Sequence, residues 1–373
     1  MSSKVDFLYL SEKDMIQAGV MDMEKCVETM DEMFQLVDKG DYLMGGPSEN
    51  QHGLSIYFPV EQRFPNMPAK APERRFMAMV AYLGGRFNIF GEKWYGSNLD
   101  NLKKGLPRSI LTVMLNDPIT SAPLALMSGN LLSSMRTGAV PGVGAKYLAD
   151  KNSEVLGIIG AGVVNKAALM SFAVTLPKLK KVKVYDVLPE KGAAYSKTMG
   201  EQLGLNVFPV GSMEEAFRDS DVVHVAANYG KNVPTIKNDW LKERMTLILS
   251  SSFKCEDDLL LNSNIVFDEY KMHEAWVKED DEFPPNDMRR YCLPTFKIID
   301  YIKEGKLKRD DVVSLGSVVC GYKFRGEKSS KRTLIYTYGM PVEDLAWGYQ
   351  IYLNALEKGI GQKLNLWDEP HWF

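Results

Sequence analysis

Residues Val155–Asn165 read VLGIIGAGVVN. An apolar run enters Gly-Ala-Gly, and the chain then turns apolar again. That order fits a buried strand, a tight turn and the start of a helix. Gly160 would permit the turn, and Gly162 would let the backbone approach a pyrophosphate resting on free N–H groups at the helix N-terminus. Ala161 lies between them, and Val163 and Val164 open the helix. The third fingerprint position is Asn165, where glycine or alanine is usual. Taken alone, GxGxxG is a loose pattern, so its surroundings decide. The next strand is Lys181–Tyr185, and Asp186 stands at its end, 186 − 160 = 26 positions after the first glycine. The expected distance is about 20. A carboxylate there accepts hydrogen bonds from both ribose hydroxyls of an adenosine and repels a 2′-phosphate. No arginine follows in DVLPEK, so the turn selects NAD(H) over NADP(H).

The flanking pattern is an alternation. Strands are expected at Val155–Ile159, Lys181–Tyr185, Leu205–Pro209, Val222–Ala226, Thr246–Leu249 and Ile265–Phe267. Helices fall between them, including Val163–Leu176, Lys191–Leu203 and Ser212–Arg218. Such spacing predicts a doubly wound parallel sheet. The chain before it differs. Lys4–Leu10 suits a strand, Ser11 an N-cap, and Met21–Lys39 a helix that stops at Gly40. Short β-like runs follow at Leu54–Phe58, Arg75–Tyr82, Lys93–Tyr95, Ser109–Asn116 and Pro123–Met127, punctuated by Gly, Pro and Asn. They predict a mostly antiparallel sheet. Ser134–Leu148 reads as a helix broken or kinked near Pro141. After about Gly316 the alternation ends, and Pro341–Lys358 forms one more long helix. A chain of 373 residues suits two domains better than one core. The fold class is α/β, a doubly wound Rossmann sheet together with an α+β part that holds the mostly antiparallel sheet. The expected division is 133–318 for the nucleotide domain, with 1–132 and 319–373 forming the other.

Several functions are disfavoured. The formal net charge is −3, so no basic field invites nucleic acid. Cys26, Cys255, Cys292 and Cys320 form no CxxC pair, which favours free thiols in a reducing compartment. The four histidines are dispersed, and no metal site is expected. The opening MSSKVDFLYLSEKDM lacks a signal peptide's apolar run, and no stretch approaches the roughly 20 residues that span a bilayer. The expected location is the cytoplasm.

Three segments occur in order: Arg136-Thr137-Gly138-Ala139, then Gly160-Ala161-Gly162, then Gly339-Met340-Pro341-Val342-Glu343-Asp344-Leu345-Ala346. Together they resemble the ornithine cyclodeaminase/mu-crystallin family over nearly the whole chain. The resemblance implies a homodimer in which the Rossmann domain is inserted into an α+β substrate-binding and dimerisation domain, and it implies roles for residues at matching positions. Gly91-Glu92-Lys93 matches a segment whose lysine meets the substrate, and a buried lysine with a lowered pKa serves as acid or base. Arg136 matches an arginine between substrate and cofactor, where a guanidinium grips a carboxylate or phosphate bidentately. Thr137 sits beside it. Thr337 and Val342 would line the nicotinamide, and Ala226, Ala227 and Asn228 the adenine side. Lys254 and Glu256 align with a lysine and glutamate after the fifth strand.

Three positions depart from the family pattern. Gly45-Gly46-Pro47-Ser48 holds no arginine where the family grips the substrate carboxylate. Arg74, Arg75 and Arg108 are the replacements at hand, with Arg108 favoured. Ser250 stands where cyclodeaminases carry an aspartate, and a neutral serine has no driving force to accept a proton. Val164 replaces a glutamine after the turn. The expected chemistry is therefore NAD(H)-dependent hydride transfer at a C–N bond of an amino acid, amine or cyclic imine, with Lys93 as acid/base and Arg136 orienting the reactants. The alternatives are a cyclodeaminase that releases ammonia with no net change in NAD, and a non-catalytic protein that binds NAD(H) and a small ligand.

Overall fold

The computed structural model describes residues 3–227, 233–282, 294–325 and 331–372. The chain divides into two compact units, Met1–Arg136 with Met340–Phe373, and Thr137–Gly339. The division falls inside the helix Asn130–Leu148, which is not broken at Pro141.

In the first unit, strands run in the order Gln362–Trp367, Val5–Leu10, Pro123–Ser128, Ser109–Asn116, Ile89–Ser97, Arg75–Leu83 and Tyr42–Met44. Leu54–Tyr57 also pairs with Arg75–Leu83. All neighbours are antiparallel except Val5–Leu10 with Pro123–Ser128. Ser11 caps the first helix as expected, its hydroxyl accepting from the Asp14 N–H while Asp14 bonds back. Along Arg75–Leu83, alternate residues Met77, Met79, Ala81 and Leu83 are buried. This period of two puts one face on the core. The helices Met23–Lys39 and Pro341–Lys358 pack in this unit, and Met30, Phe34, Leu345 and Trp347 are fully buried.

In the second unit, eight parallel strands lie in the order Asn206–Pro209, Lys181–Tyr185, Val155–Ile159, Val222–Val225, Thr246–Leu249, Thr333–Tyr336, Asn264–Phe267 and Val312–Ser314. The central strands are buried at every residue, as expected of a sheet covered on both faces. Strand order reverses beside Val155–Ile159, the point where ligands bind in such sheets. One sequence expectation changes here. The parallel pattern does not end near Gly316, because Thr333–Tyr336 lies inside the sheet, between Thr246–Leu249 and Asn264–Phe267. The second unit therefore runs to Gly339 instead of residue 318. Among the described residues, no helix is long and apolar enough to cross a membrane.

Candidate functional site

The nucleotide turn lies at the reversal point of the second unit. Gly160 has φ +98°, and a Cβ there would come within 2.6 Å of the Ala226 carbonyl oxygen. No other residue fits that position without moving the neighbouring strand end. Gly162 caps the helix Val163–Thr175, and a Cβ on it would meet nothing within 4 Å. The turn's outer face, with Gly162 and Val163, is exposed, and Ala161 and Val164 are half-buried. Backbone N–H groups and an open approach suit an anionic diphosphate. Asp186 sits against the same turn. One carboxylate oxygen accepts from the Ala161 N–H at 2.8 Å and the other from the Leu188 N–H at 2.9 Å. Each oxygen keeps lone-pair capacity for a ribose hydroxyl.

The irregular fingerprint residue has a defined task. The Asn165 amide is fully buried and donates to the carbonyls of Ile159 (2.9 Å), Gly160 (2.6 Å) and Ala226 (3.2 Å). It fastens together two strand ends on either side of the reversal point. Its carbonyl oxygen lies 2.6 Å from His224 Nδ1, and His224 Nε2 lies 2.9 Å from Ser250 Oγ. Ser250 Oγ lies 2.6 Å from Thr337 Oγ1. Burial pushes the His224 pKa down to about 3, so the ring is neutral. Backbone bonds hold this edge, from Ser250 N–H to the Val225 carbonyl and from Thr337 N–H to the Leu249 carbonyl. Ala226 and Ala227 are half-buried nearby in the same unit, with Ala227 N–H donating to Ser251 Oγ. Lys254 lies apart from this network, exposed on the two-residue ribbon that pairs with Thr235–Ile236. Asn228 lies outside the described residues.

The first unit holds a second constellation. Lys93 is 2% exposed, and its Nζ donates to Asp344 at 2.7 Å. Asp344 also accepts from Arg136 Nε at 2.9 Å, and Arg136 Nη1 donates to Glu343. Two cations and two carboxylates, all nearly buried, make the group neutral. Desolvation lowers the Lys93 pKa, the Arg136 charge lowers it further, and Asp344 opposes both. Asp344 and Glu343 raise the Arg136 pKa, outweighing its desolvation. Both carboxylates lie in the first turn of Pro341–Lys358, where the helix dipole favours negative charge. The local sequence brings this turn to Lys93. A Cβ at Gly91 would meet the Met114 carbonyl oxygen at 2.2 Å and the Leu345 side chain at 3.0 Å. Val342 is wholly buried at the helix start, and Thr137 opens the other unit.

The arginines separate by position. Arg74 bonds the Ala69 carbonyl and pairs with Asp100. Arg75 lies over the Tyr95 ring, 5.4 Å from its centroid, and Lys93 Nζ is 6.0 Å from the same centroid. Arg108 pairs with Glu73 at 3.0 Å, and Arg75 approaches the same carboxylate at 3.8 Å. Two cations thus share one carboxylate. Burial raises the Tyr95 pKa, but Arg108 and Arg75 outweigh it, and the net shift is downward.

Glu343 and Asp344 stand within the last of the three motif segments, and the sequence alone assigns them no task. Their signal was two adjacent acids flanked by apolar residues in the first turn of the helix Pro341–Lys358, in a chain with a lysine and an arginine to neutralise. The His224 and Asn165 partnership left no such sign, because strand and helix lie 59 positions apart.

A profile of the ornithine cyclodeaminase/mu-crystallin family matches residues 19–359. N-((2S)-2-amino-2-carboxyethyl)-L-glutamate dehydrogenase of Staphylococcus aureus is 28% identical over 97% of this chain and 99% of its own. Among solved structures, the Thermococcus litoralis Δ1-pyrroline-2-carboxylate reductase in complex with NADH and L-proline superposes with a TM-score of 0.75. It is 27% identical and covers 95% of this chain and 99% of its own. An archaeal alanine dehydrogenase dimer with bound NAD also scores 0.75, at 25% identity, covering 97% of this chain and 100% of its own. The chain belongs to the ornithine cyclodeaminase/mu-crystallin family.

Proposed function

We propose that this member of the ornithine cyclodeaminase/mu-crystallin family is an NAD(H)-dependent oxidoreductase acting on the C–N bond of an amino or imino acid. The carrying observation is Lys93, a buried lysine with a lowered pKa, held at 2.7 Å by Asp344. A lysine so placed changes protonation nearer neutrality than a free one, as an acid/base group needs. The full-length dehydrogenase, reductase and alanine dehydrogenase relatives support the reaction class.

NAD supplies or accepts the hydride when bound. The residues suited to hold it are Gly160, Ala161, Gly162, Val163 and Val164 at the diphosphate, Asp186 at the ribose, and Ala226 and Ala227 beside the turn. Ser250 and Thr337 belong to the nicotinamide end. Lys93 carries the proton that joins or leaves the substrate nitrogen as the carbon gains or loses hydride. Arg136 has further N–H donors beyond those bonded to Glu343 and Asp344, and these orient a substrate carboxylate or a cofactor phosphate. Arg108, with Arg75, supplies the carboxylate contact that the early Gly45–Ser48 segment lacks. An excess of one positive charge over Glu73 suits that task. Residues Lys254, Asn228, Thr137 and Val342 remain part of the family expectation and carry no step here.

The test is a steady-state comparison of wild type with Lys93→Ala and Lys93→Arg. Loss of the acid/base group lowers kcat by roughly a hundredfold or more in the alanine variant. Full activity in Lys93→Ala would falsify the assigned role.

A further inference from the structure

We infer that Asn165 and His224 are positioning residues that set the Ser250–Thr337 hydroxyl pair as a hydrogen-bond acceptor for the carboxamide N–H of the bound nicotinamide. The inference rests on the reading that the dinucleotide lies across the Gly160 turn.

The direction of each hydrogen bond follows from the one before it. The Asn165 Nδ2 atom faces three backbone carbonyl oxygens, which only accept. The opposite amide orientation would set an oxygen against those three. The Oδ1 atom therefore faces His224, and His224 Nδ1, at 2.6 Å, must carry the hydrogen. A neutral imidazole with Nδ1–H has a bare Nε2. Burial with no carboxylate against the ring keeps His224 neutral, and desolvation is the one cause of its low pKa. Ser250 must then donate its hydroxyl hydrogen to Nε2. With that hydrogen spent, Thr337 donates to Ser250. Both hydrogens of the pair are consumed internally, and lone pairs are what remain on Ser250 and Thr337.

The placement of the pair selects its partner. Asp186 follows the strand on one side of Val155–Ile159. Ser250 and Thr337 follow the second and third strands on the other side. With the adenosine ribose at Asp186 and the diphosphate at Gly160, the nicotinamide end extends towards the hydroxyls. The ring's carboxamide offers an N–H donor, and the acceptor pair receives it. A carboxylate or ketone at the same atom finds no donor there. The unusual asparagine at the third fingerprint position thus has a consequence some residues away, because it fixes which hydroxyl hydrogens point inward.

The test compares NAD+ with 3-acetylpyridine adenine dinucleotide, in which a methyl group replaces the amide nitrogen. Dissociation constants are measured by calorimetry for wild type, Thr337→Val, Thr337→Ser, His224→Leu and His224→Gln. ADP-ribose, which lacks the ring, is the control in each case. Wild type is expected to bind NAD+ roughly five- to tenfold more tightly than the analogue, the value of one buried hydrogen bond. Thr337→Val removes one of the pair's two acceptor oxygens and narrows the ratio. His224→Leu frees the Ser250 hydrogen and weakens the preference. Thr337→Ser and His224→Gln, which keep an acceptor in place, retain it. ADP-ribose affinity stays constant across folded variants. Equal binding of NAD+ and the analogue by wild type overturns the inference, as does an unchanged ratio in Thr337→Val. Failure of wild type to bind ADP-ribose instead overturns the placement of the dinucleotide, and the inference with it.

Discussion

Lys93 is 2% exposed and shares Asp344 with Arg136. Moving an ammonium from water into such a site costs several kcal/mol unless an anion meets it. Asp344 meets that need and at the same time raises the lysine pKa against desolvation. Asp344→Asn removes the opposing charge, so the Lys93 pKa falls further. If Lys93 is the acid, activity that disappears above its pKa disappears at lower pH. If it is the base, activity that appears above its pKa appears at lower pH. Either way, the Lys93 limb of the pH–kcat/KM profile moves towards acid in the asparagine variant. An unmoved limb would assign that limb to another group. Asp344→Ala leaves Lys93 and Arg136 with Glu343 as the remaining carboxylate of the group and lowers stability by about 3–5 kcal/mol, readable in urea unfolding.

At the scale of elements, close approach decides whether these side chains meet. Gly91 lies where a Cβ would strike the Met114 backbone and the Leu345 side chain. Gly91→Ala pushes the helix Pro341–Lys358 outward. It costs roughly 1–3 kcal/mol by overpacking, and it lowers kcat through Asp344 while leaving ADP-ribose affinity unchanged. Thermal unfolding and calorimetry on the same preparation check both halves of that expectation. The sequence made these elements legible where the pattern was long. Glycine spacing marked the turn at Gly160–Gly162, and Asp186 followed the next strand. Helical spacing marked Met21–Lys39, where the helix spans Met23–Lys39, and it marked Pro341–Lys358. It was silent on Thr333–Tyr336, a four-residue buried run that periodicity alone cannot assign, and on Gln362–Trp367, whose pairing with Val5–Leu10 joins the two ends of the chain. Lys93 and Arg136 were identified by motif. Their carboxylate partners, more than 200 positions away in sequence, became evident once the helix was seen against the strand.

At the scale of the whole molecule, the first unit presents an apolar outer sheet face. Phe76 and Trp94 stack at 6.0 Å, yet they are 41% and 43% exposed, and Phe90 and Ile110 are 45% and 52% exposed. Exposed apolar side chains gathered on one sheet face mark an interaction surface. The archaeal alanine dehydrogenase relative is a dimer. The homodimer proposed from the family resemblance would bury this face. Trp94→Lys with Ile110→Glu would convert a dimer into a monomer in light scattering after gel filtration, and a wild-type monomer at micromolar concentration would contradict the proposal.

The central claim is hydride transfer to or from a C–N bond with net turnover of NAD(H). It is tested most directly by following reduced nicotinamide absorbance and free ammonia together in the same cuvette. The protein is supplied with NADH and imino acids formed from 2-keto acids with ammonia or amino acids, and separately with NAD+ and ornithine. Loss of NADH matched mole for mole by new amine is expected, slower by roughly a hundredfold or more in Lys93→Ala. Release of ammonia from ornithine with no net change in NADH, in a protein that leaves every imino acid untouched, would contradict it.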